Sequence, residues 1–476
     1  MGAGVAGLAA ATRLAEAGTR ALVLEASPRP GGRARSYHEP RLGREIDNGQ
    51  HLLMGCYRET IAFLARIGSL EQVRFQERLR VDFRDASGDA FALDCPPLPG
   101  RASLLAGLAL CSGLGLGDRF GLLKLAKEVP EERADPDLGD GNTTGSGDRP
   151  GRSSGRPDGR HGARPEPTRG RREGAGDETA AVWLARLGQS ARARRNFWDP
   201  LVLATLNESP DVASARALRT VLRLGLLGGP EAARLGWPRS TLGALFARPA
   251  QRYLESRGSA VRCSARVVAA EPSADGVDLR LRAGEIVRAR AAVIAVPPRA
   301  LRLLLPESLA ASPGLSGIGE LREAPIVNVH LHLDREVSGL PMAALLGTTM
   351  QWAFERAPDG PARGGAQQAM ITLVLSGARR EVGLDAGRLV AAALADLRAV
   401  FPRAERARLL GAAAVKERDA TISPAAGWDA LRPGSRTESP RLFLAGDWTA
   451  TGLPATIESA VLSGHRAASA AMEVLG

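Results

Sequence analysis

Met1-Gly2-Ala3-Gly4-Val5-Ala6-Gly7-Leu8-Ala9 decides how the rest of the chain is read. It carries G-x-G-x-x-G at Gly2, Gly4 and Gly7, and the run Ala9 to Ala17 reads as the helix that follows. In a dinucleotide fold the first glycine makes the tight turn off a strand. The second lets the main chain approach a pyrophosphate, and the third lets the helix lie close to the sheet. The helix N-terminus then faces phosphate with free N–H groups and a positive dipole end. Working outward, Arg20-Ala21-Leu22-Val23-Leu24-Glu25 reads as a buried strand ending in an acid 23 residues after Gly2, which suits a carboxylate accepting both ribose hydroxyls. Pro30-Gly31-Gly32-Arg33-Ala34-Arg35 adds a second glycine pair with arginines in reach of the pyrophosphate. Taken singly these features are weak, since a glycine-rich loop opens many helices and a strand-end acid is ordinary. The sequence enters at the turn, so the strand expected before Gly2 is missing from it and the sheet reads as truncated at its centre.

At 476 residues the chain has length for two or three domains and a large core. Its four cysteines, Cys56, Cys95, Cys111 and Cys263, include no CxxC, which points to neither a disulfide framework nor a zinc site and fits a reducing, cytoplasmic setting without a metal. The formal charge of +11 comes from scattered arginines, with Lys124, Lys127 and Lys416 the only lysines. Scattered cations argue against nucleic acid, while a positive surface favours peripheral contact with an anionic membrane face. No secretory signal pattern is visible. Ala102 to Gly117 is shorter than the roughly 20 apolar residues of a membrane span. It reads as a core helix hairpin or as an apolar surface by which a lipid substrate enters.

The fold class expected is α/β: a discontinuous Rossmann-like dinucleotide domain, its first strand truncated, with a substrate domain of mixed sheet and helices. The first dinucleotide part covers 1–75, with helical spacing from Tyr57 to Ile67; the first substrate part covers 76–127. Residues 128–176 hold 11 Gly, 6 Pro and 9 Arg and no aromatic residue. Such a segment buries too little apolar surface to offset the entropy of ordering it. It reads as a disordered insertion, a linker or a frame-shifted stretch. A helical cap is expected over 177–245, with packed helices around Trp183 and from Phe197 to Asn207. The second dinucleotide part spans 246–300, with strands from Ala260 to Ala269 and from Ala291 to Val296. The second substrate part spans 301–430, including the alternating run Pro325 to Leu333 and an amphipathic helix from Arg388 to Val400. The third dinucleotide part, 431–476, holds the strand Arg441 to Ala445 and the long helix from Thr456.

Together, the glycine motif, Glu25, Gly31-Gly32-Arg33, Val293-Ile294-Ala295-Val296-Pro297-Pro298 and Ala445-Gly446-Asp447 with Glu458-Ser459-Ala460 resemble the FAD-dependent amine oxidase and carotenoid desaturase superfamily. The resemblance implies FAD as cofactor. It implies that Gly2, Gly4, Gly7 and Glu25 hold the ADP portion, with Gly32 and Arg33 near the pyrophosphate. Val267 would meet the adenine through its backbone, Gly446-Asp447 would sit on the ribityl or phosphate side, and the helix from Thr456 would point at the isoalloxazine. Amine oxidases of this superfamily usually place a lysine near the flavin on the strand matched by Ile326 to Leu333, and here there is none; amine oxidation is disfavoured. The wording Ile46-Asp47-Asn48-Gly49-Gln50-His51-Leu52-Leu53, Trp198-Asp199-Pro200-Leu201, Leu206-Asn207, Gln351-Trp352-Ala353-Phe354 and Gly446-Asp447-Trp448-Thr449 is similar to the squalene-associated FAD-dependent desaturases, the hydroxysqualene dehydroxylases of bacterial hopanoid synthesis.

That resemblance implies an apolar isoprenoid substrate, hydroxysqualene, whose hydroxyl is replaced by hydrogen to give squalene, with an electron donor that the sequence does not name. A proton donor beside the departing oxygen would lower the barrier, and Asp47, Asn48 and His51 are the candidates. The competing role for His51 is a hydrogen bond to backbone. Two other readings stand beside this one: a phytoene-type desaturase running hydride transfer in the opposite direction, and a non-catalytic or damaged flavoprotein homologue.

Overall fold

Four three-residue strands build the dinucleotide half. Leu22–Leu24 pairs in parallel with Ala260–Arg262, and Ala292–Ile294 pairs in parallel with Leu442–Leu444. The computed structural model describes residues 1–129, 176–356 and 368–476. Met1 and Gly2 lie between the two strand pairs and bond to both. Gly2 N–H donates to Leu24 O at 2.8 Å on one side; on the other, Ala295 N–H donates to Met1 O at 2.8 Å and the Met1 amine to Val293 O at 2.7 Å. These two residues thus stand at the central strand position of the sheet.

The glycines that follow are dictated by crowding. Gly2 has φ +89°, and a Cβ there would lie 2.4 Å from Ala295 O; a Cβ on Gly7 would lie 1.9 Å from Gly2 O. No side chain fits at either position. The helix Val5–Glu16 packs beside Ile457–Leu475, so the beginning and end of the chain meet. A three-stranded antiparallel meander, Val267–Pro272, Val277–Leu281 and Ile286–Ala289, completes this half. The single run expected from Ala260 to Ala269 is in fact two strands in different sheets. Ser264 takes φ +54° between them, and its N–H donates to Ser27 O while that of Ala265 donates to Glu25 O, each at 2.8 Å.

The substrate half is built on a seven-stranded sheet in the order Leu409–Ile422, Glu323–Leu333, Ala369–Ser376, Trp352–Arg356, Ala343–Leu346, Arg80–Asp85, Ala90–Asp94. Neighbours are antiparallel except Ala343–Leu346 and Arg80–Asp85, which are parallel. Period-two alternation in Glu323–Leu333 sends Val327, Val329 and Leu331 to one face, where they are fully buried with Leu389, Ala393 and Leu397 of the helix Ala386–Val400. Each buried leucine or valine contributes about 2 kcal/mol. Helices Ala180–Arg186, Asp199–Leu206 and Ala215–Val221 cover the other side, with Trp183, Trp198 and Leu218 buried among them. Thr179 and Ser214 cap two of these helices by accepting from Val182 N–H and Ala217 N–H. The block expected to be all helix also contributes a strand, Leu235–Pro238, which pairs antiparallel with Leu53–Met54 and Val73–Phe75. Of the segment 128–176, residues 130–175 lie outside the described residues.

One dipeptide fastens the helical block to the sheet. Asn207 ends the helix Asp199–Leu206 in the left-handed conformation, φ 52°. Its Nδ2 donates to Ala324 O at 3.1 Å and Thr421 Oγ1 at 2.8 Å, and its Oδ1 accepts from Gly377 N–H at 2.7 Å. Buried Glu208 beside it pairs with Arg379 and accepts from Ser423 Oγ at 2.6 Å. Asn207→Ala removes the amide and strains the backbone, and is expected to cost about 2 kcal/mol. Asn207→Gly keeps the backbone, loses only the amide bonds, and is expected to unfold at a temperature between those of the other two proteins. Thermal unfolding followed by circular dichroism checks this, and equal midpoints for all three would mean that the amide fastens nothing.

Candidate active site

A continuous cavity of about 2730 Å³ separates the two halves. On the dinucleotide side its wall is main chain and small residues, among them Gly2, Gly4, Gly31, Gly32 and Gly446. On the sheet side the wall is largely apolar, built by residues such as Leu79, Val81, Phe197, Leu201, Leu227 and Met342, with Asn328, Ser376 and Glu417 among its polar members. Drug-sized ligands occupy about 300–1,000 Å³. The cavity therefore has room for a dinucleotide and a long second ligand together.

The residues expected to hold a cofactor converge here, with one exception. Gly2, Gly4, Glu25, Gly32, Arg33, Val267, Gly446, Asp447 and Thr456 all border the cavity, whereas Gly7 lies behind the loop against Gly2 O. The helix Val5–Glu16 has Gly4 as N-cap with no side-chain cap, so its first N–H groups open toward the cavity. Glu25 accepts from Ala3 N–H at 2.7 Å on one oxygen and from Ser27 N–H and Oγ, at 2.8 and 2.7 Å, on the other. Arg33 pairs with Asp447, 414 residues away, and donates to Ala420 O at 3.3 Å. Burial opposes the charge on Arg33, but the carboxylates of Asp447, Glu323 and Glu417 outweigh it and hold its pKa above the ordinary value. Gly446 N–H donates to Ser463 Oγ at 2.8 Å, and Thr456 caps Ile457–Leu475 by accepting from Ser459 N–H at 3.1 Å.

The three candidate proton donors differ in surroundings. Asp47 Oδ1 accepts from Ser36 Oγ at 2.6 Å and Leu242 N–H at 2.8 Å, and Oδ2 lies 3.9 Å from Arg356. Burial raises its pKa against those hydrogen bonds, and it does not border the cavity. Asn48 borders the cavity, but its amide ties down the arginine loop: Nδ2 donates to Arg33 O at 3.0 Å and Oδ1 accepts from Arg35 N–H at 3.1 Å. His51 also borders the cavity, with Nδ1 3.0 Å from Gly49 O. That carbonyl can only accept, so Nδ1 carries hydrogen and Nε2 is left for a ligand. Burial lowers the His51 pKa, with the Gly49 bond and Asp47 in partial opposition.

Sequence reasoning did not single out Arg432 or Asn328, and left Glu458 without a role. The Arg432 side chain, fully buried, donates to Leu453 O, Asp447 O and Thr451 Oγ1 and stacks 4.2 Å over Trp428, which holds the loop after Asp447 in place. Glu458 accepts from Glu59 N–H, Thr60 N–H and Thr60 Oγ and so caps the helix Arg58–Arg66 from the far end of the chain. Asn328 borders the cavity from the strand Glu323–Leu333. Arg432 and Asn328 belong to no spaced motif, and Glu458, although part of the C-terminal motif, serves partners 398 and 399 residues away.

An uncapped helix N-terminus behind glycines that admit no side chain, with a carboxylate one strand away, fits a dinucleotide pyrophosphate and ribose. Comparison with known proteins agrees. The profile of the family described as "Flavin containing amine oxidoreductase" matches residues 5–472. The chain belongs to the flavin-containing amine oxidoreductases and is an FAD-dependent oxidoreductase. Among sequence relatives, a hydroxysqualene dehydroxylase of Rhodopseudomonas palustris is 31% identical over 98% of this chain and 96% of its own. A hydroxysqualene dehydroxylase of Sinorhizobium fredii is 30% identical over 99% of this chain and 97% of its own. A 15-cis-phytoene desaturase of Solanum lycopersicum is 26% identical over 47% of this chain and 40% of its own. An oxidoreductase from Methanosarcina mazei superposes with a TM-score of 0.67 over 97% of both chains at 16% identity, a likeness of fold.

Every group that meets Glu25 is a donor, so Glu25→Gln would turn an amide NH2 against one of them. The variant is expected to bind FAD about tenfold more weakly than the native protein. Titrating apoprotein with FAD by flavin fluorescence checks this; an unchanged dissociation constant would remove Glu25 from cofactor binding.

Proposed function

We propose that the protein replaces the hydroxyl of hydroxysqualene by hydrogen, giving squalene and water, as a step of hopanoid synthesis. The observation that carries this reading is the shape of the cavity: a glycine-lined dinucleotide side continuous with a long side lined mainly by apolar residues. Similarity over nearly the whole chain to two hydroxysqualene dehydroxylases supports it. In the reaction the C–O bond breaks, the hydroxyl takes up a proton and leaves as water, and a hydride forms the new C–H bond. Bound FAD, once reduced by an electron donor, supplies that hydride. The chain supplies the rest. The apolar wall takes the hydrocarbon and keeps bulk water from the reacting carbon, and His51 delivers the proton through Nε2. Asp47 and Asn48 act beside it by holding the segment that leads to His51 and the loop that carries Arg33.

This assignment fixes the sign of a pH effect. A proton donor works in its protonated form, and burial holds His51 below the ordinary histidine pKa. With reduced flavin and hydroxysqualene, kcat/KM is expected to rise as pH falls toward that lowered pKa. His51→Ala is expected to flatten this limb and cost about 10²-fold or more. A native profile without the limb, or unchanged turnover by the variant, would take His51 out of the reaction. Formation of squalene from hydroxysqualene under reducing conditions tests the reaction itself. Desaturation of phytoene under oxidising conditions, with no squalene formed, would favour the desaturase reading instead.

Among the described residues no helix is long and apolar enough to cross a membrane. We propose peripheral contact through the helices Ala102–Leu110 and Leu116–Glu128. There Leu110, Leu116 and Phe120 are between 72% and 76% exposed beside exposed Lys124 and Lys127, and Arg101 at the start of the pair borders the cavity. Apolar tips with flanking cations suit an anionic lipid surface. Leu116→Ser with Phe120→Ser is expected to lower the fraction that sediments with vesicles containing phosphatidylglycerol. Equal sedimentation of the variant and the native protein would place any contact elsewhere.

A further inference from the structure

Among the described residues that border the cavity, Asn328 and Trp352 each carry a buried polar atom without a hydrogen-bond partner: Asn328 Oδ1, an acceptor, and Trp352 Nε1, a donor. They belong to one rung of the large sheet. Asn328 is paired with Val374 on the next strand, and Val374 with Trp352 on the strand after it. Residues paired across strands share a face, so all three look into the same space. Val374 lies between them, Ile326 precedes Asn328 on its face, and Phe354 follows Trp352 on its own, while the rung through Ile326 also carries Ser376 and Glu417, whose carboxylate pairs with Arg35. Polar atoms buried in such a wall are normally hydrogen-bonded, and each exception calls for a partner.

The orientation of the Asn328 amide is determined by its neighbour. Nδ2 donates to Asn48 O at 3.3 Å. The reversed amide would set two acceptors against each other, so Oδ1 is the atom left over. The amide also rests against Gly49, where a Cβ would stand 2.8 Å from Nδ2 and 3.3 Å from Oδ1. Gly49 does not have a positive φ, so what it gives this site is space.

We infer that Asn328 and Trp352 together recognise the hydroxyl of the substrate, with Asn328 Oδ1 accepting from the O–H and Trp352 Nε1 donating to the oxygen. A hydroxyl is the small neutral group that both donates and accepts. An ammonium offers no lone pair to the indole, and a hydrocarbon satisfies neither atom. The ligand class is therefore a long apolar alcohol. The assignment rests on the reaction proposed above for the identity of that alcohol, and it explains how a chain of nearly uniform apolar surface is placed with one particular carbon at the reacting position. Asn328 and Trp352 are specificity-determining residues under this assignment.

The test uses holoenzyme with oxidised FAD, which cannot turn substrate over, and follows perturbation of the flavin spectrum as detergent-solubilised hydroxysqualene or squalene is added. The native protein is expected to bind the alcohol about tenfold more tightly than the hydrocarbon. Asn328→Leu is expected to abolish that preference by weakening the alcohol while leaving squalene as tightly bound or tighter. Trp352→Phe, which removes only the donor, and Gly49→Ala, which crowds the amide, are each expected to reduce the preference, and they decide the matter if Asn328→Leu fails to hold FAD. No preference in the native protein, or native preference in all the variants, overturns the assignment. Preference in the native protein and its loss in the variants uphold the assignment even if reduced holoenzyme forms no squalene, a result that would overturn the reaction alone.

Discussion

The ion pair between Arg33 and Asp447 is the constraint on which the site depends. It joins the glycine loop near the start of the chain to the loop that follows the strand Leu442–Leu444 near its end, across 414 residues. Each partner is held by others. Asn48 Nδ2 bonds Arg33 O, Arg33 itself reaches Ala420 O on the substrate sheet, and Arg432 and Ser459 both donate to Asp447 O. Asp447 is the buried partner and Arg33 is 35% exposed, so removing Arg33 leaves the carboxylate as an uncompensated charge in a poorly solvated place. Three separated stretches of chain thus become one wall of the cavity, and the geometry of the cofactor side is tied to the seating of the sheet.

The sheet meets that requirement through strand periodicity. In Glu323–Leu333 the residues facing the helix Ala386–Val400 are Val327, Val329 and Leu331, which give the strand a dry and rigid back. The opposite face carries Ile326 and Asn328 and borders the cavity. A single strand therefore supplies both the packing that fixes its position and the polar atom presented to a ligand. Asn207 and Glu208 then bind the helical block to the same sheet through Ala324, Thr421, Gly377, Arg379 and Ser423. The apolar wall cannot drift from the polar positions without breaking those bonds.

What could be read from the sequence follows from the range of the forces involved. Gly7 is demanded by its contact with Gly2 O inside the turn and Gly2 by its own left-handed backbone, so their spacing survives as a legible motif. The helix beginning after Thr456 was legible because its cap lies three residues from the amide it serves. The strand Leu235–Pro238 was not, since four residues that include a glycine and a proline carry no period, and its partners lie some 160 or more positions earlier. The break at Ser264 escaped notice because left-handed backbone at a serine has no compositional signature. Arg432, Asn328 and Trp352 matter through neighbours far away in sequence, and a lone arginine, asparagine or tryptophan says nothing about which atoms surround it.

The proposed removal of a hydroxyl from a hydrocarbon sets a particular problem for a largely apolar cavity. Substrate and product share almost all of their surface, so burial holds both with nearly the same free energy and cannot by itself favour release. Discrimination must come from the one group that differs. A site built to bond a hydroxyl penalises the analogue that lacks it, because its own polar atoms are then left buried without partners. With Asn328 Oδ1 and Trp352 Nε1 as those atoms, loss of water leaves both without a partner. A penalty of about 1–3 kcal/mol for one such atom corresponds to roughly a 5-fold to 150-fold weaker hold on the product. The polar rung that places the substrate would then also drive the product out.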